Sequence, residues 1–134
     1  MAKPRLHHVA IIVPQESQLT EMLDLLGLSA GRRQYVPEYE ADCVFTSGEG
    51  ANIEFIIPGE GGKLSKFNRG TGGLHHIAIE VNNLEEFQGE LAAKGVKLLE
   101  TTPVDAGDIR INFLPPIYSR GVIVEFVERK DTNA

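Results

Sequence analysis

Apolar residues follow one another along the first half of the chain in an order that predicts a strand, a helix and three further strands. The run His8–Val13 is apolar and β-branched, as is typical of a strand. From Glu16 to Leu26 the apolar positions recur at the spacing of one helix face, and Gly27 stands where that helix would end. Three shorter apolar runs, separated by turn residues, predict the remaining strands, which are Arg33–Val36, Cys43–Thr46 and Ile53–Ile57.

The second half of the chain repeats this order. Ile77–Val81 predicts a strand, and Leu84–Lys94 has the apolar spacing of a helix that stops at Gly95. Three further apolar runs complete the set, and these are Val96–Leu99, Ile109–Leu114 and Val122–Val127. Both halves therefore predict the same strand–helix–three-strand unit, βαβββ.

The two halves also share sequence. Leu6–Val13, which reads LHHVAIIV, recurs as Leu74–Val81, LHHIAIEV, at an offset of 68 residues. Glu54 and the Phe after it recur as Glu125 and its following Phe at an offset of 71 residues. Two copies at this spacing favour a duplicated module over a solenoid. We expect an α+β fold in one domain, residues 1–134, with modules at about 5–58 and 73–129 and a Gly-rich crossover at 59–72.

Four polar residues interrupt the apolar strands, and the duplication makes them one observation. His8 and His76 occupy equivalent places in the first strand of each half, and Glu54 and Glu125 in the last. A buried carboxylate is costly unless it is paired, protonated or bound to a metal. Two imidazoles and two carboxylates suit a divalent ion such as Co, Ni, Zn or Mn. We therefore expect one metal site between the modules, inside a cupped mixed sheet.

Composition narrows the range of functions. The net charge is −6 with no basic arm, which disfavours nucleic acid and membrane partners.

Cys43 is the only cysteine, so no internal disulfide forms, and we expect a reducing, cytoplasmic location. We interpret Cys43 as a buried strand residue without chemistry. His7 and His75 are duplicated too, and strand alternation lets only one histidine of each pair face the site.

These runs resemble the vicinal oxygen chelate superfamily, which includes glyoxalases, bleomycin resistance proteins and dioxygenases. The likeness covers Leu6 to Glu128 and is greatest to the methylmalonyl-CoA epimerase family. It lies in four stretches, which read LHHVAIIVP, NIEF, GGLHHIAIEV and GVIVE. The resemblance implies a divalent metal held by His8, Glu54, His76 and Glu125.

The resemblance also implies an activity, which is epimerisation through an enolate beside a carbonyl, with Glu125 as one acid/base. The family's second glutamate lies in a Pro-Glu-x-Gly-Val stretch, and Pro37 to Ala41 stands at that place. Glu38 is the match and Glu40 the fallback, although Glu40 and Ala41 replace the family's Gly and Val. The implied partners are a small carbonyl or thioester substrate and a second copy of the chain in a homodimer.

Other functions on the same scaffold stay open. The ligand set also looks like that of glyoxalase I, which would make the chain a lactoylglutathione lyase. A different carbonyl substrate is a third possibility, and a metal-free module that sequesters a small ligand is a fourth. Three cations of the crossover, Lys63, Lys66 and Arg69, are candidates to meet the phosphates of a CoA group, although a solvated linker explains them too.

Overall fold

The computed structural model describes residues 3–130. Its strands pair in two matching orders, β2-β3-β4-β1 and β5-β8-β7-β6. The elements in chain order are β1 (Arg5–Ile12), α1 (Glu16–Leu26), β2 (Ala30–Val36), β3 (Ala41–Thr46), β4 (Asn52–Pro58), a 3-10 turn (Phe67–Gly70), β5 (Gly73–Glu80), α2 (Leu84–Ala93), β6 (Val104–Ala106), β7 (Ile109–Leu114), a second 3-10 turn (Pro116–Tyr118) and β8 (Val124–Arg129). The α+β class and the two βαβββ repeats are thus confirmed.

The chain divides into two compact units, which we describe separately. The first unit comprises residues 8–75, and the second comprises residues 76–130 with residues 3–7. No helix within residues 3–130 has both the length and the apolar character needed to cross a membrane.

In the first unit, a parallel strand pair carries the site residues. β1 runs parallel to β4, with His8 opposite Asn52 and Ile12 opposite Ile56. β4 then pairs antiparallel with β3, and β3 with β2. α1 covers one face of this sheet, since its Leu19 is buried in a cluster with strand residues. The buried members of that cluster are Val13, Leu19, Val44 and Phe55.

The opposite face of the same strands is covered by the crossover segment. Leu64 and Phe67 of this segment pack against a second buried cluster. Its buried members are Ala10, Ile12, Ala41, Cys43 and Ile56. Alternation along β1 therefore separates the face that meets α1 from the face that carries His8.

The second unit repeats this arrangement. β5 runs parallel to β8, β8 pairs antiparallel with β7, and β7 with β6. α2 packs on this sheet through Leu84 and Phe87, which join the buried strand residues Val124 and Phe126. The carboxylate of Glu128 on β8 accepts a hydrogen bond from the Leu84 N–H at 3.0 Å, which satisfies one free donor at the start of α2.

The strand predicted at Val96–Leu99 is wrong, because the strand that follows α2 is β6, Val104–Ala106. The apolar character of this segment has another cause, since Leu98 is buried in the core beside α2. The side chain of Asn112, which is fully buried, bonds both the N–H and the carbonyl of Glu100 at 3.0 Å. A side-chain amide therefore provides the hydrogen bonds that a strand ladder would otherwise supply.

Other boundaries lie close to the prediction. α1 has the predicted bounds and ends at Gly27, whose φ of 70° is the left-handed conformation that glycine adopts without strain. β1 begins at Arg5, before the predicted start at His8. β8 begins at Val124 because Val122 belongs to a turn, in which the Ser119 hydroxyl donates to the Val122 carbonyl at 2.6 Å.

Candidate metal centre

The first unit contains a buried pair of His8 and Glu54. His8 is 3% exposed and Glu54 is 6% exposed. The register between the parallel strands places Glu54 opposite Ala10, two residues after His8 on the same face of β1. The His8 Nε2 atom lies 3.3 Å from the Glu54 Oε1 atom. The pair therefore arises from the strand register alone.

The second unit contains the matching pair, with the same register. Glu125 on β8 lies opposite Ala78, two residues after His76 on β5. The His76 Nε2 atom lies 3.6 Å from the Glu125 Oε1 atom, and the two residues are 2% and 4% exposed. The sequence duplication is thus a duplication of geometry, since each parallel strand pair presents one imidazole beside one carboxylate.

Each of the four residues offers a nitrogen or oxygen atom that can bind a metal ion, and all four are buried. Nitrogen and oxygen donors without sulfur fit a divalent ion of the Mn-to-Zn series. Such an ion would also offset the cost of burying carboxylates.

Two residues of β3 surround the first pair, and the sequence prediction did not give them a part in the site. The Phe45 ring meets the His8 imidazole edge-on, with ring centroids 5.4 Å apart. Cys43, on the same face, forms a side-chain hydrogen bond with Glu54. Burial, and then the Glu54 charge, raise the pKa of the Cys43 thiol well above its usual range. Cys43 therefore stays protonated. Cys43 and Phe45 lie two residues apart on β3, so alternation along that strand puts both on the same face. This alternation is the sequence signal that could have identified them.

His75, the neighbour of His76 in the sequence, packs against the crossover. It is partly buried, and its ring lies 5.1 Å from that of Phe67. Burial lowers the pKa of His75, and the charge of Glu54 opposes that shift. His7 is also partly buried.

The two candidates for the second acid/base occupy different surroundings. Glu38 is exposed in the turn between β2 and β3, and its main-chain carbonyl accepts a hydrogen bond from the Lys63 Nζ at 3.1 Å. The Glu40 carboxylate accepts a hydrogen bond from the Lys63 N–H at 3.1 Å. Its main-chain carbonyl accepts one from the Gly59 N–H at 2.9 Å. Glu40 thus anchors the crossover, whereas the structure gives no such contact to the Glu38 carboxylate within residues 3–130.

Comparisons with known proteins agree with this geometry. A family model described as the glyoxalase/bleomycin resistance protein/dioxygenase superfamily matches residues 7–113. The mitochondrial methylmalonyl-CoA epimerase of Dictyostelium discoideum is 31% identical over 133 residues, covering 93% of this chain and 78% of that protein. The ethylmalonyl-CoA/methylmalonyl-CoA epimerase of Cereibacter sphaeroides is 31% identical over 133 residues, covering 96% and 91%.

A solved structure shares the fold. The methylmalonyl-CoA epimerase of Mycobacterium tuberculosis superposes with a TM-score of 0.80 at 27% identity, covering 93% of this chain and 87% of that one. The resemblance predicted from the duplicated runs is confirmed at the level of the superfamily and its epimerase relatives.

Proposed function

Because the chain belongs to the glyoxalase/bleomycin resistance protein/dioxygenase superfamily, we propose that it is a metal-dependent enzyme that transfers a proton at a carbon next to a carbonyl. The proposed substrate is a malonyl-CoA thioester substituted at C2, the class for which its curated relatives are named. The observation that carries the proposal is the matched buried pair, His8 with Glu54 and His76 with Glu125. A binding module without metal has no need for two such pairs.

The proposal gives each residue a separate task. His8, Glu54, His76 and Glu125 would hold the metal, which when bound would stabilise the negative charge that develops on the substrate oxygens. Glu125 removes the C2 proton from one face of the substrate. Glu38 returns a proton to the opposite face, which inverts the centre. Because Glu38 is exposed, the returned proton comes from solvent.

Removing the metal tests this assignment. We expect chelator-treated protein to lose epimerase activity on methylmalonyl-CoA, and added Co²⁺, Ni²⁺, Zn²⁺ or Mn²⁺ to restore it. Mass spectrometry measures the metal content and a coupled assay measures the rate of epimerisation, both on the same sample. A His8→Gln variant should lose the metal, whereas His7→Gln should keep it. Full activity in protein shown to be free of metal would refute the proposal.

A glyoxalase I activity is the second candidate, and the presence of Glu54 favours it. The set of two histidines and two glutamates resembles the ligand set of that enzyme class as well as that of the epimerases. The hemithioacetal of methylglyoxal and glutathione is the discriminating substrate, assayed with the same metal-loaded protein. Turnover of this compound, without turnover of methylmalonyl-CoA, would replace the leading proposal by the second.

The assembly and location of the chain also belong to the proposal. A homodimer stays a prediction, which sedimentation of the purified protein would check. The Dictyostelium relative is named as mitochondrial, and the cytoplasmic location expected for this chain stays a prediction as well.

A further inference from the structure

The turn between β2 and β3 is joined to the crossover by hydrogen bonds that we call the clasp. The Gly59 N–H donates to the Glu40 carbonyl at 2.9 Å, and the Lys63 N–H donates to the Glu40 carboxylate at 3.1 Å. The Lys63 ammonium then donates to the main-chain carbonyl of Glu38 at 3.1 Å. Two segments that are distant in the sequence are therefore held together at the residue proposed as the second acid/base.

The backbone at Glu40 has the left-handed conformation, with a φ of 54°. This conformation is uncommon for a residue other than glycine, and it persists where the surroundings hold it. Gly59 and Gly62 allow the crossover to approach closely, since a Cβ atom on either would lie 3.1 Å from the Glu40 carbonyl oxygen. Glu40 stands where the family resemblance expects glycine. The fold thus keeps a backbone suited to glycine and uses the additional side chain to bind the crossover.

The same turn lies over the face of the sheet that carries the first buried pair. Tyr39 packs against the buried cluster that includes Cys43, and the Cys43 side chain bonds Glu54. Tyr39 therefore fixes the turn from the sheet, while Lys63 fixes it from the crossover. Glu38 is exposed between these two attachments, on a main chain that is held from both sides.

The structure uses the Lys63 ammonium inside the protein. The sequence offered Lys63 as one of three cations that could meet phosphates, but its donor is directed at the Glu38 carbonyl. A bond to the main chain of a residue restricts the region that its side chain can reach. Proton transfer depends strongly on such placement, because a misplacement of about 1 Å can lower a rate by about a hundredfold.

We propose that Lys63 is a positioning residue for Glu38, whose main chain it holds so that the carboxylate stays where proton return to the substrate requires it. This inference rests on the proposed function for the reaction and for the role of Glu38. It goes beyond that function by giving a side chain of the crossover an effect on the rate of proton transfer and none on substrate affinity.

A double-mutant cycle tests whether Lys63 acts through Glu38. Methionine is similar in length to lysine but has no donor, so Lys63→Met should lower kcat for methylmalonyl-CoA about tenfold and leave KM unchanged. Lys63→Arg restores a donor and should recover most of that loss. In a Glu38→Gln background, Lys63→Met should cause no further loss, because residues that act as a unit are not additive. The matched control is Lys97→Met, which removes an exposed lysine of the second unit and should retain both constants.

The kinetic results separate this inference from the proposed function. A rise in KM with kcat retained would place Lys63 at the substrate, and a loss of kcat that persists in full in the Glu38→Gln background would make its role structural. Either result, or an unchanged kcat, would overturn the positioning role and leave the function standing. Absence of epimerase activity in the unaltered, metal-loaded protein would refute the proposed function, and the role of Lys63 in that reaction with it.

Amide hydrogen exchange tests the clasp without reference to activity. We expect the Gly59 amide, which bonds the Glu40 carbonyl, to exchange several-fold faster in Lys63→Met, because loss of the ammonium loosens the turn from the crossover. Faster exchange together with a loss confined to kcat would support the proposal. Exchange as slow as in the unaltered protein would show that Lys63 does not hold the turn, and it would overturn the positioning role even if kcat falls.

Discussion

Replacing Glu125 by Gln is expected to lower the rate of C2 proton transfer about a hundredfold or more and to weaken metal binding. Gln has almost the same shape as Glu, so the packing of a residue that is 4% exposed should be retained. The amide, however, is no base at neutral pH, and it contributes no charge beside His76, whose Nε2 atom lies 3.6 Å away. Steady-state kinetics and calorimetric metal titration measure the two losses separately.

Glu128→Gln is the matched control for this change. Glu128 lies on the same strand, but its carboxylate accepts the Leu84 N–H at the start of α2. A Gln side chain retains an oxygen that can accept this bond, so activity and metal affinity should both be kept. Full activity in Glu125→Gln, or an equal loss in both variants, would remove Glu125 from the role proposed here.

Replacing Gly72 by Ala is expected to destabilise the protein by about 3 kcal/mol or more. Gly72 is buried with a φ of 77°, a conformation that costs an L-residue about 1–2 kcal/mol. A Cβ atom would also clash with the carbonyl oxygen of Ile12 and lie 3.0 Å from Cδ of Pro14. Because the first of these contacts is with backbone, relief requires β1 or the crossover to move. Urea unfolding of both proteins measures the difference.

Gly70→Ala separates the steric part of that loss from the conformational part. Gly70 has a similar φ of 81°, but the atom nearest to the position that its Cβ would take, the Ser65 carbonyl oxygen, is 3.7 Å away. We expect a loss of about 1–2 kcal/mol, which is the left-handed backbone alone. Equal losses in the two variants would show that the contact with Ile12 does not constrain the crossover.

The site pairs were predictable from the sequence because a strand converts spacing into geometry. Alternation allows one histidine of each Leu-His-His copy to face the site, and the resemblance selects His8 and His76. The parallel register then places Glu54 and Glu125 two residues along from His8 and His76 in the two units. His8 and Glu54 are far apart in the sequence, so their positions alone do not imply that they are in contact. The repetition of both residues in the second half is what indicated that they belong to one site.

Features that depend on side-chain bonds to the backbone were not predictable. The segment Val96–Leu99 is apolar like a strand, yet it forms none. The backbone N–H and carbonyl of the next residue, Glu100, are bonded by the side-chain amide of Asn112 instead of by a neighbouring strand. The left-handed Asn68 and Arg69 carry no glycine or proline signal that would mark them. The hydrogen bond from the Lys63 N–H to the Glu40 carboxylate was not predictable either, because it joins residues distant in the sequence.

The central claim is that this chain forms an enolate at C2 of its substrate, and proton NMR tests it most directly. Methylmalonyl-CoA in deuterated water is incubated with metal-loaded protein, and the C2 proton signal is followed. We predict loss of that signal at a rate proportional to the amount of protein, with the rate falling sharply for Glu125→Gln. A C2 signal that persists with protein of confirmed metal content would contradict the epimerase assignment, while leaving the fold and the two buried His–Glu pairs unchanged.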